Sequence, residues 1–152
     1  MLTKKVAVSA CLMGESCRYD GTNNYNNMLL EALRCMEVVP FCPEDFSFGT
    51  PRPTMDLVKK EKNNIRAISN ESGTDLSEPI IAYAKDFFDT HSDIDLFIGK
   101  DRSPSCGVCS SKCYDQAKKL ISTEETGLMA MEAKHRGIKA VDVQTYLKDF
   151  RV

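Results

Sequence analysis

The chain of 152 residues lacks the features that mark several common classes of protein. No apolar run approaches the about 18 residues that a membrane-spanning helix needs, and residues 1–9 lack the apolar core of a signal peptide. A net charge of -2 excludes the strongly basic surface that gives nonspecific affinity for nucleic acid. Neither a G-x-G-x-x-G motif nor a phosphate-binding P-loop is present. We therefore expect a cytoplasmic protein that binds a small ligand and has no membrane partner.

Histidine is scarce in this sequence, whereas cysteine is abundant. The two histidines, His91 and His135, fall in predicted helices away from the cysteine-bearing turns. That placement gives little support to a Cys-His nucleophile pair or to a zinc site with histidine ligands. The seven cysteines are an odd set, and disulfides are rare in the cytoplasm. Metal binding, redox chemistry or burial must therefore account for the thiols.

Short apolar runs predict buried strands at residues 6–10, 38–41, 94–98 and 138–142. Helices are predicted over residues 28–33, 75–88, 128–137 and 144–150, and residues 57–68 are predicted to form an exposed hairpin or edge segment. This alternation is typical of an α/β fold with an open, mostly parallel sheet of about four strands and helices on both faces, a Rossmann-like arrangement. At this length we expect a single domain over residues 1–152.

A cysteine follows each of the first three predicted strands. Cys11 and Cys42 come directly after the first and second strands, and Cys106 lies in the turn after the third. Because ligands of α/β sheets bind beyond the carboxyl ends of the strands, we expect these three thiols to share one ligand there. Thiolates that converge without a histidine suit an iron-sulfur cluster or zinc.

The local set Cys106, Cys109 and Cys113 is a competing interpretation. With a fourth cysteine from elsewhere in the chain, these three residues would form a closed structural zinc site. Their close spacing favours this set, whereas strand-end placement favours the set that includes Cys11 and Cys42.

Charged residues flank the cysteine turns. Arg18, Lys100 and Arg102 are cations of the kind that lower a thiol pKa.

The segment after Cys42 is predicted to be an irregular loop from residue 46 to 53, and it contains Arg52; loops of this length are usually functional or disordered. Glu44 is placed to activate water as a general base. The alternative for Glu44 is a surface or helix-capping carboxylate, because residues 43–45 can open a helical turn.

Three ordered motifs identify a family. They are S-A-C-L-M-G-x-x-C-R-Y-D-G at residues 9–21, F-C-P-E at 41–44 with P-R-P at 51–53, and S-P-S-C-G at 103–107. With these motifs the chain resembles, over nearly its whole length, a family of small bacterial proteins whose characterised members are iron-sulfur-dependent desulfidases of thiouracil or thiouridine.

The resemblance implies a four-iron four-sulfur (4Fe-4S) cluster held by only three cysteines, matching Cys11, Cys42 and Cys106. The open iron would bind the sulfur of a thiocarbonyl, and water would attack the carbon. Glu44 and Ser103 match the positions of the acid/base and substrate-positioning residues.

We expect the substrate to be a small thiolated base, or a thiolated nucleoside or tRNA, and we expect Arg18, Arg52 and Ser105 to contact it. The alternative function is a noncatalytic zinc-binding or redox-sensing cysteine module.

Overall fold

The computed structural model describes residues 4–150, without the side chain of Phe150, and it contains two four-stranded sheets. Residues 1–3 and 151–152, which the predicted domain includes, lie outside the described residues. In chain order the elements are β1 (Lys5–Ser9), α1 (Asn27–Ala32), β2 (Glu37–Phe41), α2 (Pro43–Phe48), β3 (Met55–Lys59), β4 (Ile65–Ser69), α3 (Ser77–Thr90), β5 (Leu96–Gly99), β6 (Ser111–Tyr114), β7 (Leu120–Glu125), α4 (Leu128–His135), β8 (Lys139–Asp142) and α5 (Val143–Phe150), with 3-10 turns at Ala10–Met13 and Glu61–Asn63.

The main sheet has the strand order β2-β1-β5-β8, and all its pairs are parallel. These are the four strands that the apolar runs predict, so the predicted open parallel sheet is confirmed. The direction of strand addition reverses between β1 and β5, which is where α/β sheets bind their ligands. Ser9 is paired with Phe41, and Val8 with Ile98, so the ends of β1, β2 and β5 lie side by side.

Helices cover both faces of the main sheet, as predicted. Side chains alternate along β1, so Val6 and Val8 pack with α1 and α5 on one face while Ala7 packs with α3 and α4 on the other. Each face has its own apolar core. The first core contains Val6, Val8, Leu12, Leu29, Leu33, Ile98, Val143 and Leu147, and the second contains Ala7, Phe41, Ala84, Phe87, Phe88, Phe97, Met129, Ala130 and Ala133.

The second sheet, in the order β4-β3-β6-β7, was predicted only in part. Residues 57–68 form the expected hairpin of β3 and β4, although Leu57 and Ala67 are fully buried. Strands β6 and β7 have no counterpart among the sequence predictions. Strand β6 has four residues and β7 is largely exposed, so neither carries an apolar run or a clear alternation.

Helix α2 corrects the prediction of an irregular loop that begins at residue 46. Cys42 is the extended N-cap residue, and Pro43 occupies the first turn, where its missing N–H costs nothing. The positive end of the helix dipole stabilises the carboxylates of Glu44 and Asp45 in the first turn, which favours the helix. The helix therefore continues to Phe48 and ends at Gly49, whose φ of 78° suits glycine.

Among residues 4–150, no helix is both long enough and apolar enough to cross a membrane.

Candidate functional site

A cavity of about 350 Å³ lies at the carboxyl edge of the main sheet. Every site residue predicted from the sequence lines it: Cys11, Arg18, Cys42, Glu44, Arg52, Ser103, Ser105 and Cys106. Cys17, which the sequence suggested only as a possible fourth ligand of the competing zinc site, and Asn24, which was not predicted, also line it. The expectation that the three strand-end cysteines meet at one cavity is therefore met.

Cys11 lies in the 3-10 turn that follows β1. The side-chain amide of Asn24 lies 3.6 Å from its sulfur. The Cys17 thiol donates to Cys11, and with Asn24 and the charges of Lys100 and Arg18 it lowers the pKa of Cys11 to about 6. Cys11 therefore carries a thiolate at neutral pH.

Cys42 is held at the junction of β2 and α2. Its backbone N–H donates to the hydroxyl oxygen of Tyr83 at 3.2 Å, and its sulfur lies 3.8 Å from the carbonyl oxygen of Cys17. Hydrogen bonding with Cys17, the backbone N–H of Asp45 and the charge of Arg52 lower the pKa of Cys42. The Cys17 thiol has a single proton to share between its two neighbours, and hydrogen bonding to Cys11 and Cys42 raises its own pKa.

Cys106 lies in a tight turn after β5. The hydroxyl of Ser103 accepts hydrogen bonds from the backbone N–H groups of Ser105 at 3.3 Å and Cys106 at 3.0 Å, which holds the turn. A Cβ atom at Gly99 would overlap the carbonyl of Cys106, so only glycine permits this approach of strand and turn. Burial raises the pKa of Cys106, and the charge of Cys42 adds to that effect.

Two further elements hold the same turn. The buried carboxylate of Asp142, at the end of β8, accepts hydrogen bonds from the backbone N–H groups of Val108 at 2.7 Å and Cys109 at 2.9 Å. At the start of α4, the N–H groups of Leu128 and Met129 donate to the carbonyls of Pro104 and Ser105. Asp142 was not predicted as a site residue, although an aspartate at the end of a predicted strand was a signal for it.

Glu44 and Ser105 form the shortest polar contact of the cavity. The fully buried Ser105 hydroxyl donates to Oε2 of Glu44 at 2.6 Å. The same hydroxyl lies 3.3 Å from that of Ser103 and 3.6 Å from the sulfur of Cys106. Glu44 is thus linked through one hydroxyl to the Cys106 turn and is no free surface carboxylate.

Arg52 lines the cavity, and its side chain is only 5% exposed. Its Nη2 donates to the carbonyl of Cys17 at 2.8 Å, and its Nη1 donates to the hydroxyl of Thr50 at 2.8 Å. The Nε atom lies 3.5 Å from Oε1 of Glu44 but makes no hydrogen bond. The Nε atom is itself buried, so the neighbouring carboxylate of Glu44 balances its charge without a hydrogen bond.

The competing set of Cys106, Cys109 and Cys113 does not converge. Cys109 is exposed, with its sulfur 3.9 Å from the carbonyl of Glu124, and Cys113 is buried in the core of the second sheet. Within residues 4–150, no three His, Cys, Asp or Glu side chains form a group that could hold a single metal ion. Neither histidine lines the cavity, as the sequence analysis expected.

The fold and the cavity define a class of protein: a doubly wound α/β fold with a pocket lined by thiols, a buried carboxylate and an arginine at the switch point of its parallel sheet. The chain belongs to the 2-thiouracil desulfurase family, whose profile matches residues 6–144. The family prediction is confirmed, and membership of a desulfurase family confirms the prediction of an enzyme.

Two relatives cover almost the whole chain. The uncharacterized protein YbbK of Bacillus subtilis (strain 168) is 27% identical over 157 residues, which span 93% of this chain and 99% of YbbK. The solved structure of the 4Fe-4S-dependent thiouracil desulfidase TudS matches with a TM-score of 0.74 at 25% identity, over 96% of this chain and 95% of that one. The second match also confirms the predicted fold.

Proposed function

We propose that the protein is a desulfidase that replaces the sulfur of a thiolated pyrimidine base by oxygen, with a 4Fe-4S cluster held by Cys11, Cys42 and Cys106. One observation carries the proposal: the three strand-end thiols and the hydrogen-bonded pair of Glu44 and Ser105 line a single cavity. The family of the chain and its similarity to TudS support the same reaction.

The donor set of the cavity fits such a cluster. Sulfur ligands suit iron-sulfur clusters, and three of the cavity thiols come from three neighbouring strand ends. Ligands of a cluster bind different irons, so they need not approach one another as closely as the ligands of a single ion. Cys106 is a buried thiol whose pKa is raised, and its thiolate would be stabilised by a metal.

When bound, a cluster with one iron free of protein ligands would supply a Lewis acid that polarises the thiocarbonyl of the substrate. We assign Glu44 the role of general base. Its Oε2 accepts the Ser105 hydroxyl, and the carboxylate takes a proton from the water that attacks the thiocarbonyl carbon. The overall change is C=S plus water to C=O plus hydrogen sulfide.

We assign Arg52 and Arg18 to substrate binding. The guanidinium of Arg52 lines the cavity, where it would favour an acceptor on the substrate, such as the carbonyl oxygen or a ring nitrogen of a thiouracil. Burial of the guanidinium fixes this donor in place, which favours one orientation of the base. Arg18 lines the cavity, and its Nη1 is 3.2 Å from the Thr22 hydroxyl.

The two serines take different roles in this proposal. Ser105 touches Glu44 and the Cys106 sulfur, so it orients the base. Ser103 accepts two backbone N–H groups and holds the Cys106 turn, and its hydroxyl remains near enough to the cavity to position the substrate. The catalytic assignment of Ser103 stays a prediction.

We extend the proposed substrate class to thiolated nucleosides and tRNA.

All seven cysteines are free, which favours a reducing compartment such as the cytoplasm.

The test is anaerobic turnover of 2-thiouracil by protein reconstituted with iron and sulfide. Uracil and hydrogen sulfide should form in equal amounts. Glu44→Gln should keep its iron and bind the substrate but lose about 100-fold or more of its turnover number, the usual worth of a positioned base. The matched control is Glu31→Gln at an exposed site on α1, which should be unchanged.

An iron-loaded wild-type protein that releases no sulfide from 2-thiouracil, thiolated nucleosides or thiolated tRNA would contradict the proposal. Full turnover in iron-loaded Glu44→Gln would remove Glu44 from the mechanism and leave the rest of the proposal standing.

A further inference from the structure

A fourth thiol occupies the cavity beside the three proposed ligands. Cys17 is only 7% exposed, and its thiol lies within hydrogen-bonding reach of the sulfur atoms of both Cys11 and Cys42 in the cavity that the three residues line. The sulfur of Cys42 also lies 3.8 Å from the Cys17 carbonyl oxygen. Cys17 therefore lies between two of the three ligand thiols.

The backbone around Cys17 keeps it there. Arg52 donates to its carbonyl at 2.8 Å, and its own N–H donates to the carbonyl of Glu15 at 2.9 Å. The residue nevertheless belongs to a loop without regular secondary structure, whereas Cys42 caps a helix. The loop can adjust to bring the sulfur atoms to bonding distance more easily than the elements that hold Cys11 and Cys42.

We propose that Cys17 is a resolving thiol, which traps the oxidised, cluster-free site as a reversible disulfide with Cys11 or Cys42. The disulfide itself needs only the thiols of Cys17 and its neighbours. Its consequence for the cluster ligands rests on the proposed function. The oxidant is a peroxide.

The chemistry proceeds in two balanced steps. The thiolate of Cys11 or Cys42 attacks hydrogen peroxide and takes up one oxygen atom, and with one proton the products are a sulfenic acid and water. The Cys17 sulfur then attacks the sulfenic sulfur, the S–O bond breaks, and the oxygen leaves as a second water. The two sulfur atoms together lose two electrons, and the peroxide gains them.

The consequence is protection of the ligands. A sulfenic acid without a neighbouring thiol proceeds to sulfinic and sulfonic acids, which dithiothreitol does not reduce, whereas a disulfide is reversible. Cys17 thus prevents permanent loss of the cluster site when the cluster is lost under oxidative conditions.

The experiment uses the full chain without cluster, treated with hydrogen peroxide and digested without reduction for mass spectrometry. Wild type should yield a peptide pair joined through Cys17 to Cys11 or Cys42. After dithiothreitol it should regain most of its capacity to bind iron and sulfide. Cys17→Ser and Cys17→Ala, each checked for folding by circular dichroism, should instead carry sulfinic acid at Cys11 or Cys42 and lose more than half of that capacity.

Cys35→Ser is the matched control, because Cys35 is exposed and does not line the cavity; it should behave as wild type. The proposal is overturned if Cys17 stays a free thiol in the treated wild type, or if the Cys17 variants recover as fully as wild type. Failure of the untreated wild type to bind any cluster would instead count against the proposed function. The disulfide would still be tested, because peptide mapping does not require a bound cluster.

Discussion

The cavity thiols differ in pKa because each has different neighbours. Cys11 and Cys42 each lie within hydrogen-bonding reach of the Cys17 thiol and near cations, so their pKa values fall. Cys106 is buried beside the charge of Cys42, so its pKa rises. The lowered pKa values favour the thiolate forms of Cys11 and Cys42, whereas Cys106 must lose a proton when the metal binds.

The lowered pKa of Cys11 predicts an unusual alkylation profile. In cluster-free protein the iodoacetamide reaction of Cys11, followed by peptide mass spectrometry, should increase with a midpoint near pH 6 and level off above it, because the thiolate is the reactive form. An ordinary thiol has its midpoint near pH 8.5, at about its unperturbed pKa.

Cys17 is the largest cause of this shift, so Cys17→Ala should move the Cys11 midpoint to higher pH, and Cys35→Ala should leave it in place. A midpoint near the ordinary value in wild type, or one that Cys17→Ala does not change, would show that Cys17 does not act as the donor.

The contact of Ser105 with Glu44 predicts a second effect. Ser105→Ala removes the 2.6 Å hydrogen bond to the base, so the turnover number of the iron-loaded enzyme should fall while KM for 2-thiouracil changes little. Ser92→Ala is a suitable control, because Ser92 is exposed and does not line the cavity. A Ser105→Ala enzyme that changes in KM alone would make Ser105 a substrate contact.

At this scale the sequence predicted the three cysteines and Glu44, since Cys11 and Cys42 directly follow recognisable strands, Glu44 follows Cys42 by two residues, and Cys106 lies in the turn after the third strand. It did not predict the partners of these residues. Ser105 meets Glu44 across 61 residues of chain, and Arg52 reaches the carbonyl of Cys17 across 35. Such contacts depend on how the elements pack, and no local pattern of the sequence encodes them.

At the scale of elements, the turn at residues 103–110 joins the site to β8 and α4. Asp142 accepts two backbone N–H groups and the hydroxyl of Ser110. Asp142→Asn replaces one acceptor by a donor that faces these N–H groups. We expect a loss of about 1 to 3 kcal/mol in the free energy of unfolding, the usual penalty for buried groups left unpaired.

The measurement for Asp142→Asn is urea denaturation followed by circular dichroism. Asp149→Asn, at an exposed position on α5, is the matched control and should unfold as wild type does. An Asp142→Asn variant as stable as wild type would mean that the turn is held by its contacts with α4 alone.

Periodicity predicted the buried elements well and the exposed ones poorly. The central strands β1 and β5 of the main sheet are continuous buried runs, as parallel strands covered on both faces should be. Strand β7 exposes most of its side chains, and α2 has only six residues, of which Pro43 alone is buried. Their positions follow from pairing and capping, which are weak signals in a single sequence.

At the scale of the whole molecule, the strand order gives the chain its site. Chain order alone does not tell that β1 lies between β2 and β5, yet this arrangement brings Cys11, Cys42 and Cys106 to one edge. Periodicity could not predict that these three cysteines share a site. The resemblance to a family could, because its three motifs, which lie far apart in sequence, were recognised together. Neither periodicity nor the motifs predicted the second sheet, except for the hairpin of β3 and β4.

The most direct test of the central claim is anaerobic analysis of iron and acid-labile sulfide in reconstituted wild type and its cysteine-to-serine variants. Wild type should bind about four irons and about four sulfides per chain, the content of one 4Fe-4S cluster. Replacement of Cys11, Cys42 or Cys106 should abolish stable binding, whereas Cys109→Ser and Cys113→Ser should retain it. A wild type that binds no iron, or variants in which Cys42→Ser keeps the iron while Cys109→Ser and Cys113→Ser lose it, would contradict the account.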